Sequence, residues 1–155
     1  MRPVADRDSA EWWARTAAGE FSVQRCDSCG TLRFPARAYC HRCRTRGWRW
    51  QPVAPAGRVE SWIVSHQPFL PGATEPYVVV MVRLADAPEC VMYGNWRGAR
   101  PPAAGEPVRA HFTVVDDGLS LIDWAPAGEE GNGAGRGRGG EGPAGRGRDT
   151  EDRAG

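Results

Sequence analysis

Two short stretches, Cys26-Asp27-Ser28-Cys29 and Cys40-His41-Arg42-Cys43, carry four thiols in two pairs with ten residues between them. Thiolates are soft ligands, and four of them in two tight turns suit the tetrahedral preference of Zn²⁺. In each pair the chain folds back so that backbone amides face the sulfurs and offset part of their negative charge. A Cys₄ set leaves no coordination position open, so one zinc bound there holds the fold and does no catalysis. Buried free thiols or disulfides are the competing readings. The doubled C-x-x-C spacing, with Gly30 closing the first turn, argues against both.

Little else in the sequence has the residue types that chemistry needs. The histidines are His41, His66 and His111. His41 lies inside a cysteine turn, His66 follows a strand-like run, and His111 falls on the polar side of another. None has an acid at a spacing that fixes a catalytic partner. Cys90 sits in an apolar run and reads as a small buried hydrophobe. No Ser/His/Asp or Cys/His arrangement is present, so the sequence predicts no standalone enzyme.

Charge is nearly balanced overall, at +1, but it is unevenly spread. Residues 25–49 hold seven arginines against Asp27 alone, a surplus of +6 that four thiolates and one Zn²⁺ reduce to +4. Residues 58–126 carry five arginines against eight acids, or −3. A polyanion should therefore meet the cysteine-rich segment first. Every basic residue is arginine, a habit that fits a GC-rich genome. Neither a membrane-length apolar run nor an apolar N-terminal stretch occurs, which with metal-spaced thiols gives a cytoplasmic expectation.

The elements that must position these groups follow from pattern. Residues 8–19 read as a helix, with Asp8 and Glu11 as a capping box, Trp12 and Trp13 as its aromatic load and Gly19 at its end. Two adjacent tryptophans cannot share one face, so one of them at least is expected on a neighbour or a partner. A ribbon of about 30 residues is too small to bury a core, so the metal has to replace one.

After a Pro/Ala-rich joint at 52–57, apolar stretches run over Arg58–Ser65, Tyr77–Leu84, Cys90–Tyr93, Val108–Val115 and Leu119–Trp124. Val108, Ala110, Phe112 and Val114 alternate with polar neighbours, as in a half-buried strand. Asp116-Asp117-Gly118 is a hairpin signal. Five such strands predict a small closed barrel, for which the OB-fold is the usual solution, although pattern alone fits other small barrels. The expected divisions are 1–24 (helical segment), 25–51 (zinc ribbon), 52–126 (barrel) and 127–155, a Gly/Arg-rich tail too polar to fold. The tail holds five arginines and six acids, which favours a neutral extension over a nucleic-acid arm.

In order and spacing, several motifs together resemble one family. They are Trp12-Trp13, Gly19-Glu20-Phe21, Gln24-Arg25-Cys26-x-x-Cys29-Gly30, Pro35-Ala36, Cys40-x-x-Cys43, Trp48 and Gly57-Arg58-Val59-Glu60-Ser61. Pro76-Tyr77-Val78-Val79, Gly105-Glu106-Pro107-Val108 and Trp124-Ala125-Pro126 extend the match. It looks like the zinc-ribbon OB-fold proteins of acyl-CoA metabolism, first catalogued as domain of unknown function number thirty-five. The likeness covers about residues 8–126 and departs from the family at the short Arg/Pro-rich stretch 95–102.

The resemblance implies a mainly β chain with an N-terminal helix, a rubredoxin-like zinc ribbon and an OB-fold. It also implies a non-catalytic accessory subunit beside a thiolase-superfamily enzyme, with acyl-CoA near the shared interface. Trp12 and Trp13 are then candidates for the partner interface. Arg33, Arg37, Arg46 and Arg49 are candidates for the CoA phosphates, since guanidinium groups bind such oxygens bidentately. The alternative is a single-stranded nucleic-acid binder, which the acidic barrel disfavours.

Overall fold

The computed structural model describes residues 4–67 and 76–128; the tail expectation for 127–155 lies almost wholly outside them. One helix and eight strands follow in order: α1 (Ala10–Ala17), β1 (Ser22–Cys26), β2 (Leu32–Arg33), β3 (Trp48–Pro52), β4 (Ala56–Ser65), β5 (Tyr77–Leu84), β6 (Val91–Trp96), β7 (Pro107–Asp116) and β8 (Leu119–Pro126). Among the described residues no helix is long and apolar enough to cross a membrane.

α1 is shorter than its sequence pattern suggested, and the Asp8/Glu11 capping box does not form. Ser9 takes the cap position without bonding a helix amide. Its hydroxyl instead donates to Asp6 Oδ1 at 2.6 Å, and its N–H donates to the same oxygen at 2.8 Å. Asp8 lies in the preceding turn beside Arg7, and Glu11 pairs with Arg15 one turn on, at 3.0 Å.

The ribbon is a three-stranded antiparallel sheet in the order β2-β1-β3. β4 to β8 form a closed barrel in the order β4-β5-β6-β8-β7, the one-two-three-five-four arrangement of an OB-fold. All five strands expected from alternation are present, each within a few residues of its expected ends. The 116–118 hairpin signal also holds: the Gly118 N–H donates to Asp116 Oδ1 at 3.0 Å between β7 and β8.

The barrel closes through a parallel pairing of β6 with β8, Asn95 opposite Asp123 and Trp96 opposite Trp124. Gly94 permits the close approach that this needs, because a Cβ there would overlap the Ile122 carbonyl and crowd the Trp124 ring. On the same strands Asp123 is buried, and three donors satisfy it: Arg97 Nε at 3.0 Å, Asn95 Nδ2 at 3.2 Å and Thr113 Oγ1 at 2.5 Å. The Arg/Pro-rich stretch after β6 is tied down as well. Trp96 Nε1 donates to the Arg100 carbonyl at 2.6 Å, and Arg100 pairs with Glu106 at 2.6 Å.

Ribbon, helix and barrel share one hydrophobic core. Trp124, wholly buried, meets Phe21 edge-on at 6.0 Å, and Trp12 meets Phe34 of the ribbon at 5.2 Å. Polar clasps add to this: the Leu32 N–H donates to Glu89, and the Ala54 N–H donates to Asp86. The β5–β6 turn is thus held by the ribbon on one side and by the joint after β3 on the other.

Candidate metal centre and its surroundings

The two cysteine turns are near-repeats, Cys-Asp-Ser-Cys-Gly-Thr and Cys-His-Arg-Cys-Arg-Thr. Their backbones repeat too. Gly30 N–H donates to the Cys26 carbonyl and Arg44 N–H to the Cys40 carbonyl, while Cys26 and Cys40 donate to the carbonyls of Thr31 and Thr45. Closing each turn requires a positive φ, +72° at Gly30 and +60° at Arg44. Glycine meets this without strain; arginine does not.

The four sulfurs lie within 4.8 Å of one another. Cys26 and Cys43 are 3.6 Å apart, and Cys29 and Cys40 are 3.7 Å apart. Zn–S bonds of about 2.3 Å in a tetrahedron put sulfurs about 3.8 Å apart, so the set has the size a metal needs. All four are free cysteines. Cys26 is brought down to about 6, mainly by the Cys29 backbone N–H, with the Ser28 N–H adding to it. The Cys29 thiol is lowered first by the Thr31 hydroxyl, 3.1 Å away. Amide and hydroxyl donors around sulfur favour thiolate, the form that binds metal.

The other expected site residues have different fates. Arg33 is 4 % exposed and donates from Nε to Gln24 Oε1 at 2.8 Å, so it is no surface contact for a phosphate. Its place in β2, beside buried Gln24 of β1, turns it inward, which alternation over a two-residue strand does not reveal. Arg49 pairs with Asp27 at 2.8 Å. Arg46 lies over the exposed ring of Tyr39 at 4.8 Å, and exposed Arg37 uses its backbone N–H on Gln24.

Trp12 also needs correcting as an exposed aromatic. At 8 % exposed, it packs edge-on to Trp13 and against Phe34, so it joins ribbon to barrel and offers a partner almost nothing. Trp13 is half-buried against the same core.

His41 and His66 are exposed on the ribbon and at the end of β4, and His111 is half-buried on β7. Cys90 is buried, and its thiol is pushed up to about 11 by burial first and by the Glu89 charge next. It is expected to resist alkylation at pH 8 while the chain is folded and to react once it is denatured; mass spectrometry of iodoacetamide-treated protein reads this directly. The raised value has a second consequence. Between about pH 9 and 11 only the unfolded thiol ionises, so this group's contribution to stability falls as pH rises.

A zinc ribbon continued into an OB-fold barrel, with one four-cysteine centre and no catalytic cluster among the described residues, defines the class: a zinc-ribbon OB-fold protein. Residues 13–49 match the model of the ChsH2 rubredoxin-like zinc ribbon domain, and residues 50–113 match that of the ChsH2 C-terminal OB-fold domain. The chain belongs to this ChsH2-type DUF35 family. A solved structure described as the Ltp2-ChsH2(DUF35) aldolase contains a chain 34% identical to it, with a TM-score of 0.74, covering 81% of this chain and 99% of that one.

A DUF35 protein of unknown function from Sulfolobus solfataricus shares the fold at 15% identity, with a TM-score of 0.52. Two curated relatives match over 128 residues: a probable enoyl-CoA hydratase alpha subunit from Thermomonospora curvata, 34% identical, and the 3-oxo-4,17-pregnadiene-20-carboxyl-CoA hydratase alpha subunit of Mycobacterium tuberculosis, 35% identical. The match takes up 81% of this chain but only 40% of each relative.

Proposed function

We propose that this chain is a non-catalytic subunit that binds and supports a thiolase-superfamily enzyme acting on acyl-CoA, with Cys26, Cys29, Cys40 and Cys43 holding one structural zinc. The observation that carries this reading is the likeness over nearly the whole length of a chain from an aldolase assembly. Both curated relatives are named as hydratase alpha subunits, but 60% of each lies outside the match, and we assign the hydration chemistry to that remainder. The described residues support this division. The histidines are spread over ribbon, β4 and β7, and the one cysteine outside the metal set is buried and protonated.

Zinc fits the donor set. Four soft sulfurs at near-tetrahedral spacing, surrounded by N–H and hydroxyl donors, suit a d¹⁰ divalent ion that needs no open site. Of the arginines suggested for CoA phosphates, Arg37, Arg46 and Arg49 are exposed and remain the candidates, Arg49 in a solvent-exposed pair with Asp27.

The nucleic-acid reading has a specific observation against it. OB-folds bind strands of nucleic acid on the face of their second and third strands. Here that face is β5 and β6, where Tyr77, Val79, Met81, Tyr93 and Asn95 point outward beside a single arginine. That residue, Arg83, is committed to Glu60 at 2.6 Å and to the Pro88 carbonyl. Tyrosines for stacking are present, but the charge for a phosphate backbone is not.

The test is co-expression with a thiolase-superfamily enzyme encoded beside this chain. Expected are co-purification, higher solubility or turnover of the enzyme, and no thioester chemistry from this chain alone. Salt-sensitive micromolar binding to single-stranded DNA or RNA, with no co-purification, would sink the reading.

A further inference from the structure

Two strands of the barrel run on past the junction that joins them. β4 and β7 are ten residues long, yet they pair only through Ala56–Arg58 and Pro107–Arg109. Val59 closes the junction, its N–H on the Glu106 carbonyl and its carbonyl on the Gly105 N–H. Because the pairing is antiparallel, the rest of β4 leaves toward one end of the barrel and the rest of β7 toward the other. The two free edges are not alike. The β7 edge runs into Asp116 and Asp117, and charge of that kind keeps an open edge from pairing. Ser61–Ser65 of β4 carries no charge and no proline.

Beyond Val59, among the described residues, β4 pairs only with β5. Its apolar side chains are open on both faces. Trp62 stands opposite buried Val80 and Val64 opposite Val78, on the inward side, and they are 37 % and 46 % exposed. Ile63, on the outward side opposite Val79, is 64 % exposed. Tyr93 is exposed on the same outward side, and a hollow of about 170 Å³ lies between it and Ile63, over Val79 and Met81. An uncharged strand edge with apolar groups open on both faces is a template for another strand.

The segment itself points to which strand. Ser61-Trp62-Ile63-Val64-Ser65 has the same order of residue classes read from either end, with apolar side chains between two hydroxyls. Laid antiparallel on a second copy with Ile63 as midpoint, it sets Ser61 opposite Ser65, Trp62 opposite Val64 and Ile63 opposite itself. The Trp62–Val64 contact then forms twice on the inward side and the Ile63–Ile63 contact once on the outward side, with no like charges opposed. Any extended chain could use the edge, but only the same strand uses this symmetry. The chain's own tail does not qualify, because residues 129–155 contain no apolar side chain larger than proline.

We propose that Ser61–Ser65 is the joint of a symmetric dimer, in which the free edge of β4 pairs antiparallel with the β4 edge of a second copy about a two-fold axis at Ile63. The two barrels then share one sheet running β6-β5-β4-β4-β5-β6, and their outward apolar faces become continuous. The inference concerns this chain by itself and stands apart from the accessory-subunit reading. A joint made by one short strand segment a side is small, so the dimer is expected to be weak and to depend on concentration.

The experiment is sedimentation of the full chain over a concentration series, as wild type, Ile63→Arg and Ile63→Glu. Zinc content and thermal midpoint are measured on each at a dilution where the wild type is monomeric, and both should match wild type, because Ile63 is exposed enough to accept either side chain. Each substitution opposes like charges at the two-fold axis, so each variant alone should dimerise at least about tenfold more weakly than wild type. Mixed in equal amounts, the two variants oppose arginine to glutamate and should form a mixed dimer that neither forms alone. Wild-type amides of 61–65 should also gain hydrogen-exchange protection as concentration rises. A wild type that stays monomeric over the series overturns the proposal, and so does self-association that both variants keep. Variants that come apart and do not recover on mixing would place the contact away from a two-fold at Ile63, which overturns it as well. A lower midpoint in both variants would mean that Ile63 is covered within its own chain, and the proposal falls. Protection of 61–65 that appears only with the partner enzyme would give the edge to that enzyme, overturning the dimer and leaving the accessory reading in place.

Discussion

Serine in place of Cys40 should unfold the ribbon and take partner binding with it. Cys40 is one of two buried ligands, and the ribbon offers the metal only sheet fragments of two and five residues in exchange for a core. Structural zinc contributes roughly 10–16 kcal/mol in small zinc domains, as much as the whole stability of an ordinary domain. Hydroxyl is a poor substitute for thiolate, and losing one ligand of four removes most of that contribution. Metal analysis should fall from about one zinc per chain in wild type to near zero. The amides of 22–52 should lose their exchange protection, and so should those of α1, because Trp12 rests on Phe34. A metal-free Cys40→Ser chain with an ordered ribbon would refute the account.

The second large effect is expected at Trp12. Trimming it to alanine opens a cavity where helix, ribbon and barrel meet, and Trp→Ala changes in cores cost about 3–5 kcal/mol. The four thiols are not touched, so zinc should stay bound while the denaturation midpoint drops sharply. Trp13→Ala should cost less stability, since part of that side chain is already in solvent. Equilibrium urea unfolding of both variants, read with zinc content, separates the two roles. A Trp12→Ala chain as stable as wild type would show that ribbon and barrel do not depend on this contact.

The metal set and the five barrel strands were legible because each rests on a local rule. Cysteine spacing fixes the turns, and period-two alternation fixes which side of a strand faces in. What the sequence hid depends on neighbours that are distant in the chain. Arg33 looks like any ribbon arginine until Gln24 of the adjacent strand is placed beside it. Trp12 and Trp13 stand about 100° apart on a helical wheel, and only the arrival of Phe34 decides which of the two faces is buried. The capping box failed because the helix starts one residue later than the pattern suggests: Ser9, not Asp8, takes the cap position, with its N–H and hydroxyl turned back to Asp6. Exposure was hidden by a rule that works: alternation puts Val114 on the inward side of β7, opposite buried Ser120, yet Val114 is 72 % exposed. Alternation carries no information on whether the interior is covered there.

The two cysteine turns also differ within themselves. In each the first cysteine is buried, Cys26 and Cys40, while the second, Cys29 or Cys43, lies nearer the surface. Half of the coordination sphere is therefore open to solutes, whatever the depth of the free-energy well. Retention strength and exchange rate need not go together in such a site. An incoming thiol or chelator would reach the Cys29 side of a metal held here before the side of buried Cys26 and Cys40. The metal's traffic with its surroundings would then be set by ligand exchange at one exposed edge, at a rate that rises with the competitor's concentration, and not by how often the chain unfolds.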